Sequence, residues 1–279
     1  MADTFAVVAA GAMGAAIGAR LSGHGARVLT STLGRSEASV ERAWAGGMEA
    51  VSDDELVTAD VFLSVVPPDQ AIGLAARIAQ RASRLLVYVD LNAISPQTAG
   101  EVGGVLHACG AAFVDGGIIG PPPVRETAGP TLYLSGPTAS CLDLLSRHGL
   151  VVKALDGGIG AASVLKMSYA GLTKELTALG ATMILAATRN GAERALHAEL
   201  ANSQPELLAR LGRAVPDMLP KAYRWALEMR KIAGFIGRDH PGSEIYEGVA
   251  KVYEEIAADK DRDRSITDAL EAFLAKPTP

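Results

Sequence analysis

The stretch Val8-Ala9-Ala10-Gly11-Ala12-Met13-Gly14 joins an apolar, β-rich run at residues 5–9 to a helical pattern in which Met13, Ile17 and Leu21 share one face. A strand that turns through glycine into a helix can bind phosphate. The first N–H groups of the helix point at the anion and the helix dipole favours negative charge. In the dinucleotide fingerprint G-x-G-x-x-G, the second glycine lets a pyrophosphate approach the backbone and the third lets helix pack on strand. Gly11 and Gly14 stand at those two places, with Ala12 and Met13 between them, while Ala9 stands at the first. The segment could otherwise be an ordinary buried turn and helix, or the apolar part of a secretory signal. Charge argues against the signal, because Asp3 precedes Phe5 and no Lys or Arg precedes Arg20.

A carboxylate about 20 residues beyond such a turn would hold the adenosine ribose of NAD. Here the second β-rich run ends Thr30-Ser31-Thr32-Leu33-Gly34-Arg35-Ser36, and no carboxylate comes before Glu37. Hydroxyls at Ser31 and Thr32 beside the Arg35 guanidinium suit a 2′-phosphate, so NADP is expected ahead of NAD.

The elements that must position these groups alternate. Strand-like runs cover residues 5–9, 26–31, 61–65, 84–90, 112–115 and 131–135, with helical patterns between them. Ser52-Asp53-Asp54-Glu55 is a capping-box start, and residues 68–80 carry apolar residues at helical spacing. The class is α/β: a doubly wound parallel sheet, covered on both faces. Beyond about Asp156 the pattern becomes all-helical, over residues 161–189, 192–211, 218–235 and 244–260. Two domains are expected, a Rossmann dinucleotide-binding domain at 1–156 and a helical substrate and dimerisation domain at 157–279, hinged at Gly157-Gly158-Ile159-Gly160. The tail Lys276-Pro277-Thr278-Pro279 reads as disordered.

Composition narrows the class of function. The chain has 279 residues, 49% hydrophobic and 20% charged, with a formal net charge of −5 spread along it. No basic face offers itself to nucleic acid. The apolar run at 176–188 is shorter than the about 20 residues that span a bilayer, and a cytoplasmic protein is expected. Cys109 and Cys141 have neither metal-ligand nor disulfide spacing and read as reduced core residues. The five histidines are scattered without metal-ligand spacing.

Three motifs in order, the glycine turn, Asp60-Val61-Phe62-Leu63-Ser64-Val65-Val66-Pro67-Pro68, and Asp90-Leu91-Asn92-Ala93-Ile94-Ser95-Pro96, resemble the β-hydroxyacid dehydrogenase superfamily. That superfamily includes 6-phosphogluconate dehydrogenase, hydroxyisobutyrate dehydrogenase and the imine reductases, and the resemblance covers nearly the whole chain. It implies that Val66 and Pro67 lie along the nicotinamide ribose and that Asn92 faces the nicotinamide. The segment Asp115-Gly116-Gly117-Ile118-Ile119-Gly120 resembles the family's substrate loop, with Ile118, Ile119 and Gly120 as substrate contacts. Ile119 replaces the family's serine, which removes a donor for a substrate carboxylate.

The resemblance also implies a catalytic lysine near the start of the long second-half helix. Lys166 stands there, but the family's two asparagine places hold Tyr169 and Ala170. Lys166 and Tyr169 fall on one side of a helix, and burial between Leu165 and Met167 would lower the lysine's pKa toward a useful acid–base range. Lys174 reads as surface charge, and Trp44 and Trp225 as core or interface anchors.

The expected activity is an NADP-dependent hydride transfer to or from a small hydroxy or carbonyl substrate, with Lys166 as general acid and base in a homodimer. Two alternatives stand beside it. One is an imine reductase, which the apolar substrate segment suits, although that group generally has Asp or Tyr at the lysine position. The other is a non-catalytic NADPH-binding sensor.

Overall fold

The computed structural model describes residues 2–82, 86–124, 127–137 and 141–275. Arg84, where the fourth strand-like run is expected to begin, and the tail from Lys276 lie outside the described residues. The chain divides into two compact units, Met1–Met167 and Ser168–Pro279.

The first unit holds one sheet of eight strands: β1 (Thr4–Val8), β2 (Arg27–Thr30), β3 (Glu49–Ala50), β4 (Val61–Ser64), β5 (Val87–Asp90), β6 (Ala112–Ile119), β7 (Thr131–Ser135) and β8 (Val151–Ala154). Their order is β3-β2-β1-β4-β5-β6-β7-β8. Strand order reverses between β1 and β4, which opens a crevice at the carboxyl ends of the strands. The strands are apolar at successive positions because both faces are covered. Phe5 and Val7 enter one core with Ile17, Leu21, Val28, Leu63 and Val89. Ala6 and Val8 enter the other with Leu29, Phe62, Leu74, Ile78 and Tyr88.

Helices α1 (Ala12–Gly23), α2 (Glu37–Ala45), α3 (Asp53–Leu56), α4 (Ala71–Ala79), α5 (Pro96–His107) and α6 (Leu142–Arg147) connect the strands. The Ser52 capping box forms at α3, with Ser52 and Glu55 bonding reciprocally. At α5, Ser95 Oγ accepts from Thr98 N–H at 3.1 Å while Pro96 occupies the first turn. The sheet departs from an all-parallel one at a single pairing. β6 runs on past Asp115 to Ile119, and β7 returns antiparallel, with Ile118 opposite Leu132. Among the described residues no crossover helix separates these strands, and the antiparallel pairing has the chain return from the same end of the sheet. The short strands β3 and β8 were not legible as runs.

The long helix α7 (Ala161–Arg189) has the bounds expected from its periodicity. The division between units falls within it, beyond the expected hinge at Gly157–Gly160, because its first turns are bonded to the sheet.

The second unit continues through α8 (Glu193–Ser203), α9 (Pro205–Met218), α10 (Ala222–Ile236), α11 (Pro241–Asp259) and α12 (Ser265–Leu274). The single helix expected over 192–211 is broken at Gln204, whose φ of −138° and ψ of 52° are non-helical. Pro205 explains the break, since proline disfavours helical backbone in the residue before it. α10 starts at Ala222 rather than Met218, after a 3-10 turn at Leu219–Lys221 that contains Pro220. The unexpected α12 is capped by Asp259, whose Oδ2 accepts from the Thr267 N–H at 2.9 Å and hydroxyl at 2.7 Å. Lys174 is not surface charge: its side chain is 16% exposed, forms an ion pair with Glu228 and lies over the Trp225 ring, 4.7 Å from the centroid. Trp225 packs edge-on against Tyr253, whereas Trp44 in the first unit is 66% exposed. Among the described residues no helix is long and apolar enough to cross a membrane.

Candidate functional site

Five segments of the first unit converge on the carboxyl ends of the strands. The first is the turn from β1 into α1. Gly11 is the N-cap, with φ −68° and ψ −177°, and no side chain caps the helix. The leading N–H groups of α1 are therefore available to an anion. A Cβ added to Gly11 would meet nothing within 4 Å, so the space above the helix end is open. At Gly14 a Cβ would overlap the Ala9 carbonyl oxygen and lie 3.5 Å from Val65 Cβ, which is the close helix-to-strand packing the third fingerprint glycine provides. Ala9 does not adopt a positive φ, so this turn has no need of glycine at the first place.

The second segment follows β2. The buried Thr30 hydroxyl is spent on the Val7 carbonyl at 2.7 Å, and Ser31 is buried. Ser31, Thr32 and Leu33 line one side of an open groove of about 580 Å³, with Val51, Asp53 and Arg81 across from them. Asp53 is answered there by Arg77 at 3.2 Å and Arg81 at 3.8 Å. Arg35 reaches Gln70 Oε1 at 3.5 Å. A second guanidinium, which sequence reading missed, lies closer to the fingerprint: Arg42 donates to the Ala10 carbonyl at 3.3 Å and to Ser39 Oγ at 2.9 Å. The signal was there in the i, i+3 spacing of Ser39 and Arg42 on α2, just after Ser36 at its N-cap. These residues fit a dinucleotide: an uncapped helix end for the pyrophosphate and two cations, with no carboxylate directly after β2.

The third and fourth segments follow β4 and β5. Val66 is buried and Pro67 exposed, and the Pro67 carbonyl accepts from Gln70 N–H at 2.9 Å to close a 3-10 turn at Pro68–Gln70. Asn92 is buried, and its Nδ2 donates to Ser64 Oγ and to Asp90 Oδ2, each at 2.8 Å. Burial pushes the Asp90 carboxyl up to about 7; hydrogen bonds from Asn92 oppose that shift, and the nearby Asp115 charge adds to it. Burial likewise raises the neighbouring Tyr88 hydroxyl.

The fifth segment is the start of α7. Asp115 Oδ2 accepts from the N–H groups of Gly160 at 3.1 Å and Ser163 at 3.0 Å, and from Ser135 Oγ at 3.1 Å. Its Oδ1 accepts from the Ser163 hydroxyl at 2.6 Å, and Ser135 Oγ accepts from Ala162 N–H at 3.0 Å. One buried carboxylate and one hydroxyl thus cap the helix that carries Lys166. On β6, a Cβ at Gly117 would lie 3.1 Å from Lys166 Cβ and 2.9 Å from the Ala162 carbonyl, so glycine is what lets the helix come this close. Lys166 has no hydrogen-bond or ion-pair partner among the described residues, and burial lowers its pKa.

The remaining expected site residues lie on two elements. Ile118 and Ile119 belong to strand β6, paired with β7, and the chain leaves the strand at Gly120, with φ 124°. Tyr169 falls in the second unit and is 48% exposed.

This geometry has recognised relatives. The model of the NAD binding domain of 6-phosphogluconate dehydrogenase matches residues 4–146, more than half of the chain. The chain belongs to this family. In this member of the 6-phosphogluconate dehydrogenase family, a domain of unknown function, DUF1932, matches residues 187–256. An uncharacterised 28.5 kDa protein of Methanothermus fervidus is 30% identical over 154 residues, which span 54% of this chain and 58% of that relative. The match thus covers little more than half of the relative's length. Among solved structures, the conserved protein MTH1747, described as similar to 3-hydroxyacid dehydrogenases, superposes with a TM-score of 0.74 at 25% identity, covering 99% of this chain and 100% of the other. A Mycobacterium tuberculosis 3-hydroxyisobutyrate dehydrogenase solved with L-serine shares the fold, with a TM-score of 0.75 at 18% identity over 98% of this chain and 99% of its own. An imine reductase from Myxococcus stipitatus in complex with NADP+ is a more distant fold neighbour, with a TM-score of 0.55 at 20% identity over 98% of this chain and all of its own.

Proposed function

We propose that this protein is an NADP-dependent oxidoreductase that moves a hydride between the nicotinamide and a small hydroxy or carbonyl substrate. The observation that carries the reading is Lys166: half-buried, without a partner among the described residues, its pKa lowered by burial, and held by a capped helix against Gly117 of β6. The nicotinamide, when bound, supplies or takes the hydride. The chain does the rest. The Gly11 turn holds the pyrophosphate, Arg35 and Arg42 meet the 2′-phosphate, and Val66, Pro67 and Asn92 flank the nicotinamide end. In oxidation neutral Lys166 takes the substrate hydroxyl proton at Nζ; in reduction it returns that proton. Asp115 and Ser135 act on this step by fixing the helix, and Tyr169 stands one turn on as a second polar group.

Replacing Lys166 with alanine tests the reading. Turnover should fall by about a hundredfold or more, in line with the loss of a general acid–base group, with NADPH affinity nearly unchanged. Wild-type turnover in Lys166→Ala on a true substrate would sink it.

A second reading, an imine reductase, rests on the apolar pair Ile118 and Ile119 where a carboxylate-binding hydroxyl is expected. A parallel panel of ketones, hydroxy acids and cyclic imines with NADPH separates the two. We place a second copy of the chain on the second unit, where Leu172, Leu179 and Met183 of α7 each expose more than half of their surface. Sedimentation equilibrium giving only the monomer mass would exclude that dimer.

A further inference from the structure

Asn92 is only 3% exposed, yet its side-chain oxygen has no hydrogen-bond partner among the described residues. Every other polar atom of the residue is engaged. Nδ2 donates to both Ser64 and Asp90, the backbone N–H donates to Asp90 Oδ1 at 2.8 Å, and the backbone carbonyl accepts from Ile94 N–H at 3.0 Å. Buried acceptors in folded proteins are almost always paired, so one left over at a strand's carboxyl end points to a ligand.

The orientation of the amide is determined by its neighbours. Asp90 sits at the end of β5 in register with Ser64 at the end of β4, and both its oxygens face Asn92. An ionised carboxylate only accepts. With Asp90 ionised, turning the amide over would set Oδ1 against Asp90 Oδ2, acceptor against acceptor. Above about pH 7, where Asp90 is ionised, the amide therefore keeps its NH2 turned toward Asp90 and Ser64.

We propose that Asp90 and Ser64 lock Asn92 as a fixed hydrogen-bond acceptor whose ligand is the carboxamide NH2 of the nicotinamide, making Asp90 a positioning residue for the cofactor's reactive ring. This inference rests on the dinucleotide reading above. A carboxamide presents N–H donors, and its carbonyl finds no donor in this amide. The pair Asp90–Asn92 therefore distinguishes a carboxamide from a ketone of the same shape.

The test is calorimetric titration of the full chain at about pH 8, where Asp90 is ionised, with NADP+, with its acetylpyridine analogue and with 2′-phospho-ADP-ribose. The analogue carries a methyl ketone in place of the carboxamide. Wild type should bind it at least about tenfold more weakly than NADP+, the size of one buried acceptor left unpaired. In Asp90→Asn the new amide can donate to Asn92 Oδ1, so the discrimination should shrink to within about threefold while 2′-phospho-ADP-ribose affinity stays put. Ser64→Ala, which leaves the carboxylate in place, should give an intermediate ratio and serves if Asp90→Asn does not fold. Equal wild-type affinity for NADP+ and the analogue overturns the inference and leaves the dinucleotide reading standing, the donor then being a substrate group. Full discrimination retained in both variants overturns the role of the lock. Failure of all three ligands to bind wild type overturns the dinucleotide reading and this inference together.

Discussion

Asp115 Oδ1 and the Ser163 hydroxyl lie 2.6 Å apart, joining strand β6 to the first turn of the helix that carries Lys166. The bond is fully buried and belongs to a set of four that end on one carboxylate. Replacing Asp115 with alanine strips acceptors from the Gly160 and Ser163 N–H groups. Each buried orphan donor costs about 1–3 kcal/mol, so Asp115→Ala should lose several kcal/mol in urea unfolding and should lower kcat as Lys166 drifts. Asp115→Asn, which keeps an acceptor oxygen, should recover part of both.

The two fingerprint glycines should behave oppositely. Gly14→Ala forces a Cβ into the Ala9 carbonyl and should cost about 1–3 kcal/mol of stability. Gly11→Ala has open space and an ordinary φ, so stability should move by less than about 1 kcal/mol. On the proposed function its Cβ would occupy the approach of the pyrophosphate, and NADPH affinity should drop at least about tenfold. Thermal melts beside fluorescence titrations separate the two effects; equal affinity for Gly11→Ala would place the pyrophosphate elsewhere.

Arg42 should set cofactor preference along with Arg35. Arg42→Ala removes a guanidinium beside Ala10 and Ser39, and the ratio of NADPH to NADH affinity should fall about tenfold, mainly through NADPH. An unchanged ratio in parallel titrations would leave the 2′-phosphate to Arg35 alone.

Asp90 gives the fold a pH signature. Its carboxyl titrates near 3.8 in an unfolded chain and at about 7 when buried. Between those values the folded protein keeps a proton that the unfolded chain has lost, so this group makes stability fall as pH rises through the window. Asp90→Asn, with nothing to titrate, should flatten that slope. Denaturant titrations at about pH 5 and about pH 8 check it, and an identical slope in both proteins would mean that Asp90 is ionised throughout.

Much of this was legible in the sequence because it is local. Alternating runs gave the doubly wound order, the Ser52 box gave its cap, and unbroken helical periodicity gave α7 its bounds. What escaped depends on residues distant in sequence. The cap on α7 comes from Asp115 and Ser135, which no helix-start pattern near Ala161 contains. Arg42 matters because α2 returns it to Ala10, and the orphaned Asn92 oxygen exists only because Ser64 and Asp90 take the other arm of the amide. β8, Val151–Ala154, is too short to stand out until β7 is beside it. Ala9 departs from the fingerprint at its first place, yet with no positive φ there the backbone does not need glycine.

The two ends of the sheet have a consequence for how the protein behaves in crowded solution. An open sheet edge invites another chain to add a strand. One edge here, β3, is only two residues long, and its Glu49 is tied to Arg27 of the neighbouring strand at 2.6 Å. The other, β8, presents Lys153 with its exposed backbone neighbour Ala154. Brevity at one end and a lysine at the other leave little template for edge-to-edge growth, so a sheet of eight strands can stay open without nucleating fibrils.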